Sequence, residues 1–349
     1  MSATIVGIDI GSVAIRAVEL KDADKARPTL LRFHELPLPT GAVNRGEVIE
    51  PSTVSSVLKR LWSTGGFKSK NVVIGMGNQR VLARDLTLPR MSQERIREAL
   101  PFQVQELLPV PVADAMLDFY PVSEGESDTG PVVHGLLIAS IKEAVMGNVR
   151  AVEKSGLTTK EVDLIPFALA RVLLRGDQAN GTVAIVDIGA SATTIVIATN
   201  GVPQFLRIIP AGGDDLTTAL AQRLETTPEQ ADGLKRGLGL RTSVDDPQYQ
   251  YPMEIINEVT SELLISARNT LEYFSQSRPE ASVDRILLTG GGANLGGLPD
   301  ALAELTRTRV IQADPYAGIA LGKSFNADEL RERQASILVA LGLALGSKA

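Results

Sequence analysis

Two Asp-X-Gly turns, one in each half of the chain, carry the residue types best suited to chemistry. Residues 5–20 read IVGIDIGSVAIRAVEL and residues 183–198 read VAIVDIGASATTIVIA, so Asp9 and Asp187 occupy equivalent positions 178 residues apart. Each copy has an apolar run, the aspartate, a glycine and a second β-branched run, a pattern typical of a hairpin with glycine at its turn. The single long repeat predicts a duplicated, two-lobed architecture, because arrays need several short periods.

The chemistry that these turns suit is phosphate binding. Consecutive backbone N–H groups can face a polyphosphate where glycine allows close approach, here at Gly11, Ser12, Gly189 and Ser191. The carboxylates of Asp9 and Asp187 would repel phosphate unless a Mg²⁺ ion lay between, usually through water. An aspartate that only caps a turn explains one hairpin alone better, but two related copies favour phosphate binding.

A third glycine-rich element, LLTGGGANLGGLP at 287–299, directly follows an apolar strand. Three glycines allow a sharp turn beneath a flat ring, and the second glycine pair leads into a helix whose N-terminus points back at the site. We therefore expect the base and ribose of a nucleotide to lie against Gly290, Gly291, Gly292 and Asn294. A merely flexible loop does not explain this order of strand, triple glycine and glycine pair.

Composition excludes several other classes of function. At roughly 150 residues per domain, 349 residues suggest two domains or one composite fold. A net charge of −6 leaves no basic surplus for nucleic acid or anionic lipid. The lack of cysteine excludes thiolate sites, and two histidines cannot build a usual zinc cluster. The start, MSATIVGIDIG, has no charged leader, and no run approaches the roughly 20 apolar residues of a membrane span, so we expect a cytoplasmic protein.

Strands alternate with helices along both halves, which predicts an α/β fold. Beyond the two hairpins, strands are expected at 29–36, 71–76, 81–88, 115–122, 132–141, 204–209, 284–289 and 309–313. Helices are expected at 51–63, 166–174, 215–224, 228–236, 253–277 and 328–345, with others after Ser92 and from Leu298. The acidic, glycine-containing segment SEGESDTGP is expected to be a loop.

These elements divide the chain into two lobes. The first lobe is expected at 1–180, with an inserted subdomain at about 89–155, where prolines and a charged helix interrupt the pattern. The second lobe is expected at 181–325, with a helical subdomain at about 214–280. Residues 326–349 are expected to include a C-terminal helix that packs back on the first lobe.

Together, the GIDIGS turn, the second DIG turn and the GGGA loop resemble the actin-like ATPase superfamily. Within it the sequence is most similar to the PilM family of type IV pilus assembly, which is FtsA-like, through GIDIGSVAIRAVEL, residues 89–122, VDLIPFALAR and the ending ALGLAL. The similarity covers nearly the whole chain. It implies an actin-like, ribonuclease H-like fold of two lobes, with ATP and Mg²⁺ bound between them.

The resemblance also implies roles for single residues. It adds three residues near ribose and phosphate, namely Gly212, Gly213 and Asp214. Asp232 and Lys235 match residues that contact ribose and adenine, although two such residues on one helix face are also typical of a solvated salt bridge. Asp163 is the candidate for positioning the attacking water, and capping of the helix ahead of Pro166 explains it equally well.

As a PilM relative, the chain is expected to be a scaffold of the type IV pilus inner-membrane platform. The first lobe and inserted subdomain would bind the N-terminal cytoplasmic tail of a PilN-like bitopic membrane protein in a groove. Self-association or a pilus motor ATPase would be further partners. This implies a position at the inner face of the cell membrane through the partner, without membrane insertion or nucleic-acid binding. Hydrolysis is expected to be slow, at most a weak ATPase activity, because one candidate alone is available to position water.

Two other functions of the same fold stay open, an FtsA-like cell-division filament and, less favoured, a small-molecule kinase. The kinase would need an acceptor pocket, whereas the segment after Leu88 is rich in Pro, Leu, Val and Glu, which suits a protein contact better. A P-loop at 317–324, AGIALGKS with Lys323, is disfavoured because its middle is apolar and about one helix of chain follows it.

Overall fold

A six-stranded sheet forms the centre of the first half of the chain. The computed structural model describes residues 4–322, 325–326, 330 and 332–346. The strands of this sheet are β1 (Thr4–Ile10), β2 (Ala14–Lys21), β3 (Thr29–Pro37), β6 (Asn71–Met76), β10 (Thr158–Leu164) and β16 (Ala320–Leu321). Their spatial order is β10-β6-β1-β2-β3-β16. The first three strands are antiparallel, whereas β6 and β10 run parallel to β1.

A five-stranded sheet repeats this topology in the second half. Its strands are β11 (Thr182–Ile188), β12 (Thr193–Thr199), β13 (Val202–Ile209), β14 (Arg285–Thr289) and β15 (Arg309–Gln312). The order β13-β12-β11-β14-β15 matches β3-β2-β1-β6-β10 strand for strand, and the strand directions agree. The duplication predicted from the two Asp-X-Gly hairpins is therefore confirmed.

Helices alternate with the strands in both halves. In the first half they are α1 (Pro51–Gly65), α2 (Gln93–Gln103), α3 (Lys142–Lys154) and α4 (Ile165–Leu173). In the second half they are α5 (Gly213–Arg223), α6 (Pro228–Leu238), α7 (Gln250–Ser277), α8 (Leu298–Thr306) and α9 (Gln334–Gly346). Helices α1 and α3 share a core with β1 and β6, and α7 and α8 share one with β11 and β14. No helix in the described ranges has the length and apolarity needed to cross a membrane.

Two helices, α4 and α9, occupy the space between the sheets. The sequence of α9, QASILVALGLALG, is apolar on every side, and its residues 337–345 are all buried. A helix that is apolar all round is stable in water only when it is covered on all sides. Residues of β1 and β2 from one sheet and of β11 and β12 from the other contribute to this same core. The two halves are therefore joined by one shared apolar layer.

A separate three-stranded sheet interrupts the first half, with strands β7 (Val81–Pro89), β8 (Ala115–Ser127) and β9 (Gly130–Ile141) in the order β7-β9-β8. Its core with α2 includes Leu88, Leu100 and Leu137. By contrast, α3 packs against α1 in the core of the first large sheet. From these contacts we propose that the inserted subdomain spans 81–141, where the sequence pattern placed it at 89–155.

The predicted elements agree with the structure in several places, and β6 coincides with the predicted strand at 71–76. The loop predicted for SEGESDTGP is wrong, because β8 continues to Ser127 and β9 begins at Gly130. Cross-strand pairing satisfies the backbone there and leaves a two-residue turn. A short hairpin that was not predicted, β4 (Val43–Asn44) and β5 (Glu47–Val48), follows β3.

Two predictions reach beyond the described part of the chain. Residues 328, 329 and 331 of the predicted C-terminal helix lie outside the described residues, and so do Lys323 and Ser324 of the segment that resembles a P-loop. The described portion of that segment, 317–322, contains a turn and the edge strand β16, which pairs with β3.

The contact between β1 and α9 yields a stability prediction. A Cβ atom at Gly7 would overlap the carbonyl oxygen of Ala340 and lie 2.6 Å from the backbone nitrogen of Ala344. Backbone atoms in a buried helix cannot move aside, so Gly7→Ala should lower the free energy of unfolding by ~1–3 kcal/mol, the usual range for overpacking. Urea unfolding of the full chain measures this change.

The matched control is Gly147→Ala on α3, where a Cβ would meet no heavy atom within 4 Å. It should be neutral or stabilising by up to ~1 kcal/mol, because alanine favours helix over glycine. Equal stability of the Gly7→Ala and Gly147→Ala variants would contradict the tight seating of α9 on β1.

Candidate functional site

The two Asp-X-Gly turns have the same local structure. In the turn between β1 and β2, the N–H of Gly11 donates to the carbonyl of Ala14 at 3.1 Å. In the turn between β11 and β12, the N–H of Gly189 donates to the carbonyl of Ala192 at 2.9 Å. The sequence repeat is therefore reproduced at the level of single hydrogen bonds.

The two turns also meet in space. The hydroxyls of Ser12 and Ser191 are hydrogen-bonded at 2.7 Å, although 179 residues separate them in the chain. Ser12 belongs to the first half and Ser191 to the second. Their contact joins the two halves of the chain, with one glycine turn on each side.

Two carboxyl groups, the buried Asp9 and the partly buried Asp187, lie beside these turns. Asp9 is 8% exposed and pairs with Arg16, whose Nη1 lies 3.2 Å from Oδ2, while the Nε of Arg16 lies 3.3 Å from Glu35. The pKa of Asp187 is raised to about 7, first by burial and then by the charge of Asp9, against the opposing charge of Arg16. Burial also raises the pKa of Asp9, against the opposing charge and hydrogen bond of Arg16. Both carboxylates would thus gain from an additional cation.

A metal ion at this position would need ligands from outside the protein. Within the described ranges, no group of three or more His, Cys, Asp or Glu side chains is placed to hold a metal. Two carboxylates alone leave most of the octahedral shell of Mg²⁺ to water and phosphate oxygens. An ion here would therefore be largely hydrated or bound to phosphate, and the Mg²⁺ expected from the sequence stays a prediction.

Arg16 is a site residue that sequence reasoning missed. It lies opposite Asp9 in the β1–β2 ladder, so their side chains share one face of the hairpin. The signal was available, because a tight glycine turn after Asp9 fixes which residue of the second strand faces it. Arg16 is the cation that ion-pairs with Asp9 among the described contacts.

The predicted residues Gly212, Gly213 and Asp214 lie against the second glycine turn. The N–H of Gly213 donates to the carbonyl of Gly189 at 3.0 Å, and the N–H of Asp214 donates to that of Ala190 at 2.7 Å. These bonds fix the start of α5 to the turn after β11. The first residues of α5 are thus brought next to the turn that carries Ser191.

Lys235 belongs to the same cluster. Its Nζ donates to the Thr217 hydroxyl at 2.7 Å and lies 2.7 Å from Asp232, and its side chain is only 15% exposed. The pair Asp232–Lys235 therefore forms, but Lys235 is not the solvated lysine that the alternative explanation requires. Burial raises the pKa of Asp214, an effect that Lys235 opposes.

The predicted adenosine loop begins directly beside Asp187. Gly290 has a φ of +90°, and a Cβ there would lie 2.7 Å from Oδ1 of Asp187. The position therefore requires glycine both for its backbone conformation and for space. Residues Gly291–Asn294 continue as one turn of 3₁₀-helix, in which Gly291 and Asn294 are exposed and a Cβ at Gly291 would meet nothing within 4 Å.

Asp163 has contacts that were not expected. Its Oδ2 accepts from Nη1 of Arg171 at 2.8 Å, its Oδ1 accepts from the N–H of Leu164, and the same Nη1 of Arg171 donates to the carbonyl of Gly342 in α9. It does not cap α4, whose N-cap is Leu164. These contacts give Asp163 a structural role at the junction of β10, α4 and α9, and its role in positioning a water stays a prediction.

None of the predicted site residues lines the cavities described in this structure. A cavity of about 950 Å³ lies elsewhere, between α6 and the segment after it, and is lined by Leu234, Gly237 and Tyr249 among others. Lys235 and Asp232 are not among its lining residues. Its chemistry is therefore separate from that of the two glycine turns.

Comparison with protein families agrees with this arrangement. The family model for type IV pilus assembly protein PilM matches residues 7–348. The chain belongs to the PilM family. The structure is similar to a chain of a solved PilM-PilN type IV pilus biogenesis complex. The TM-score is 0.84 at 27% sequence identity, and the match covers 99% of this chain and 98% of that one. The chain's membership therefore rests on both sequence and structure.

Two more distant proteins support the fold class. MreB 5 of Spiroplasma citri, solved with AMPPNP, has a TM-score of 0.52 at 10% identity, covering 99% of this chain and 95% of that one. Cell division protein FtsA of Bacillus subtilis is 24% identical over 331 residues, which are 81% of this chain and 73% of FtsA. This PilM family member thus has the two-lobed, actin-like α/β fold that its sequence predicted.

The buried carboxyl pair predicts a pH-dependent stability in the absence of metal and nucleotide. Because the pKa of Asp187 rises from 3.8 to about 7 on folding, the native state binds the proton more tightly, and stability must fall as pH rises between those values. The Asp187→Asn variant lacks this loss. The difference in free energy of unfolding between the variant and the original chain should therefore grow from pH 4 to pH 7, by up to ~1.4 kcal/mol per pH unit, and then stay constant. Urea unfolding in EDTA across this range measures it.

Asp24→Asn is a control at an exposed position. It should leave the pH dependence of unfolding as it is in the original chain. An effect of Asp187→Asn that is equal at pH 5 and pH 8 would contradict the raised pKa of that carboxyl group.

Proposed function

We propose that this PilM family member binds ATP with Mg²⁺ between its two lobes and acts as a scaffold of type IV pilus assembly. ATP binding is supported by the direct contact of the two glycine turns, in which the hydroxyls of Ser12 and Ser191 lie 2.7 Å apart beside the carboxyl groups of Asp9 and Asp187. The observation that carries the scaffold part is membership of the PilM family across residues 7–348.

Several contacts support a triphosphate at this position. The N–H groups of Gly11 and Gly189 already donate within their turns, so phosphate oxygens would accept from neighbouring groups such as the N–H groups of Ser12 and Ser191. A Mg²⁺ ion would relieve the unfavourable ionisation of Asp9 and Asp187. Arg16 supplies positive charge from the first lobe, and Lys235 supplies it from the second. The exposed surface of Gly291 and Asn294 is then free to receive the adenosine, and MreB 5, of the same fold, was solved with AMPPNP.

We propose that the nucleotide sets the angle between the lobes and is hydrolysed slowly, below about one turnover per second. The contacts named above bind phosphate in its ground state. Fast phosphoryl transfer also needs a group that positions the attacking water. Asp163, the candidate from the sequence, is engaged by Arg171 and Leu164 instead.

We propose that the partner is the N-terminal tail of a PilN-like inner-membrane protein, bound between the first lobe and the inserted subdomain. The similar solved structure is of a PilM-PilN complex, which supports the choice of partner. The chain would reach the membrane through this tail.

Gly291 allows the adenosine contact to be tested without disturbing the fold. Since a Cβ there enters open space, Gly291→Val should leave thermal unfolding unchanged. The added side chain would occupy the surface proposed for adenosine, so ATP affinity measured by calorimetry with Mg²⁺ should fall at least tenfold, about 1.4 kcal/mol.

Gly147→Val on the outer surface of α3 is the control for the added valine and should bind ATP as the original chain does. Equal ATP affinity of the Gly291→Val and Gly147→Val variants would show that the adenosine lies elsewhere.

A short turn can replace the inserted subdomain because its first and last strands are adjacent. Removal also uncovers Leu206 and Phe167, which belong to an apolar cluster with Leu136 and Ile138 of that subdomain. Val81 and Ser140 are direct partners in the β7–β9 ladder, so the chain enters and leaves the insertion about one strand spacing apart, ~5 Å. Replacing residues 82–139 by a two-residue Asn-Gly turn should keep ATP binding. It should abolish binding of a fluorescent peptide that corresponds to the PilN-like tail, as measured by anisotropy.

Calorimetry with ATP on the shortened chain reports whether the lobes remain folded. A shortened chain that binds ATP and also binds the tail peptide with unchanged affinity would contradict the proposed groove. A full-length chain that binds no tail peptide would contradict the choice of partner.

A further inference from the structure

The hairpin β4–β5, which the sequence did not predict, belongs to the first lobe and contacts the second lobe at Asp215. Its turn residues, Arg45 and Gly46, both have positive φ, at 48° and 78°. This turn presents Arg45 toward the second lobe, where its Nη2 lies 3.6 Å from Oδ1 of Asp215 in the first turn of α5. The first and second lobes are therefore joined by an ion pair at this point as well as by the Ser12–Ser191 bond.

The first-lobe end of this ion pair is held rigidly. Asn148 of α3 is 1% exposed, and its side chain accepts from the N–H of Val48 at 3.1 Å and donates to the carbonyl of Gly46 at 3.2 Å. Glu47 is paired with Arg80 at 2.5 Å. The hairpin thus moves with the first lobe.

The second-lobe end is held equally well. The other oxygen of Asp215, Oδ2, accepts from the N–H of Gly212 at 2.8 Å. The next N–H group, that of Gly213, is bonded to the glycine turn at Gly189. A change in the position of that turn on nucleotide binding or release is therefore transmitted directly to Asp215.

We propose that Arg45 is a positioning residue that holds the two lobes closed over a bound nucleotide through Asp215 and so slows nucleotide release. This inference rests on the proposed nucleotide site. The two side chains are 42% and 40% exposed, so water and salt screen the pair and its effect is modest. Loss of such a pair should speed release by about two- to fivefold.

A double-mutant cycle separates the ion pair from other roles of its members. Arg45→Gln removes the positive charge, and Asp215→Asn removes the negative charge while keeping an oxygen that can accept from the N–H of Gly212. The probe is mant-ATP with Mg²⁺, chased from the full chain by excess ATP in a stopped-flow instrument at low and high KCl. Arg150→Gln is the matched control, because Arg150 is paired with Glu143 within α3 and not across the cleft.

Each single variant should release mant-ATP about two- to fivefold faster at low salt, and the double variant should be no faster than either. Release from the original chain should accelerate as KCl rises, and release from the Arg45→Gln variant should depend on salt less. Additive effects, or an Arg45→Gln rate equal to that of Arg150→Gln, would overturn the inference alone. A chain that takes up no mant-ATP would overturn the proposed function together with it.

Discussion

The close approach of two poorly hydrated carboxyl groups, Asp9 and Asp187, is the constraint on which the rest of this structure depends. Asp9 and Asp187 each end the first strand of a hairpin, and the sheets behind these hairpins hold both side chains where water cannot fully solvate them. Arg16 offsets part of the repulsion, but the pKa of Asp187 still rises to about 7. A cation beside the two carboxyl groups would favour their ionised form, which supports the proposed binding of a metal-bound phosphate.

The two lobes are joined mainly by one apolar layer, which lies apart from the two glycine turns. Helices α4 and α9 and the inner faces of both sheets form one apolar layer. Outside that layer, the described contacts between the halves include the Ser12–Ser191 hydrogen bond, the Arg45–Asp215 and Arg278–Asp85 ion pairs, and an apolar cluster of Leu136 and Ile138 with Leu206. We propose that a nucleotide shifts the balance of these smaller contacts and so sets the angle between the lobes, while the shared apolar layer stays intact.

Local patterns in the sequence predicted the fold and named the residues of the candidate site, whereas several contacts of those residues depend on parts of the chain far away in sequence. The glycine turns at Asp9 and Asp187 and the loop at Gly290 could be located because each combines a strand period with a residue that the turn demands. The assignment of α3 to the first lobe depends on its packing against α1, which no local period reports. The partner of Asp163 and the reach of Arg45 likewise follow from residues distant in the chain, which spacing along the sequence does not encode.

A crystal structure of the full chain with AMPPNP and Mg²⁺ tests the central claim most directly. The account predicts electron density for the phosphates between the Ser12 and Ser191 turns, with a metal that reaches Asp9 and Asp187 through water. The adenosine should rest on the loop at Gly291. Density for the nucleotide in the cavity beside Tyr249, or phosphates between the turns with no metal near either aspartate, would contradict it.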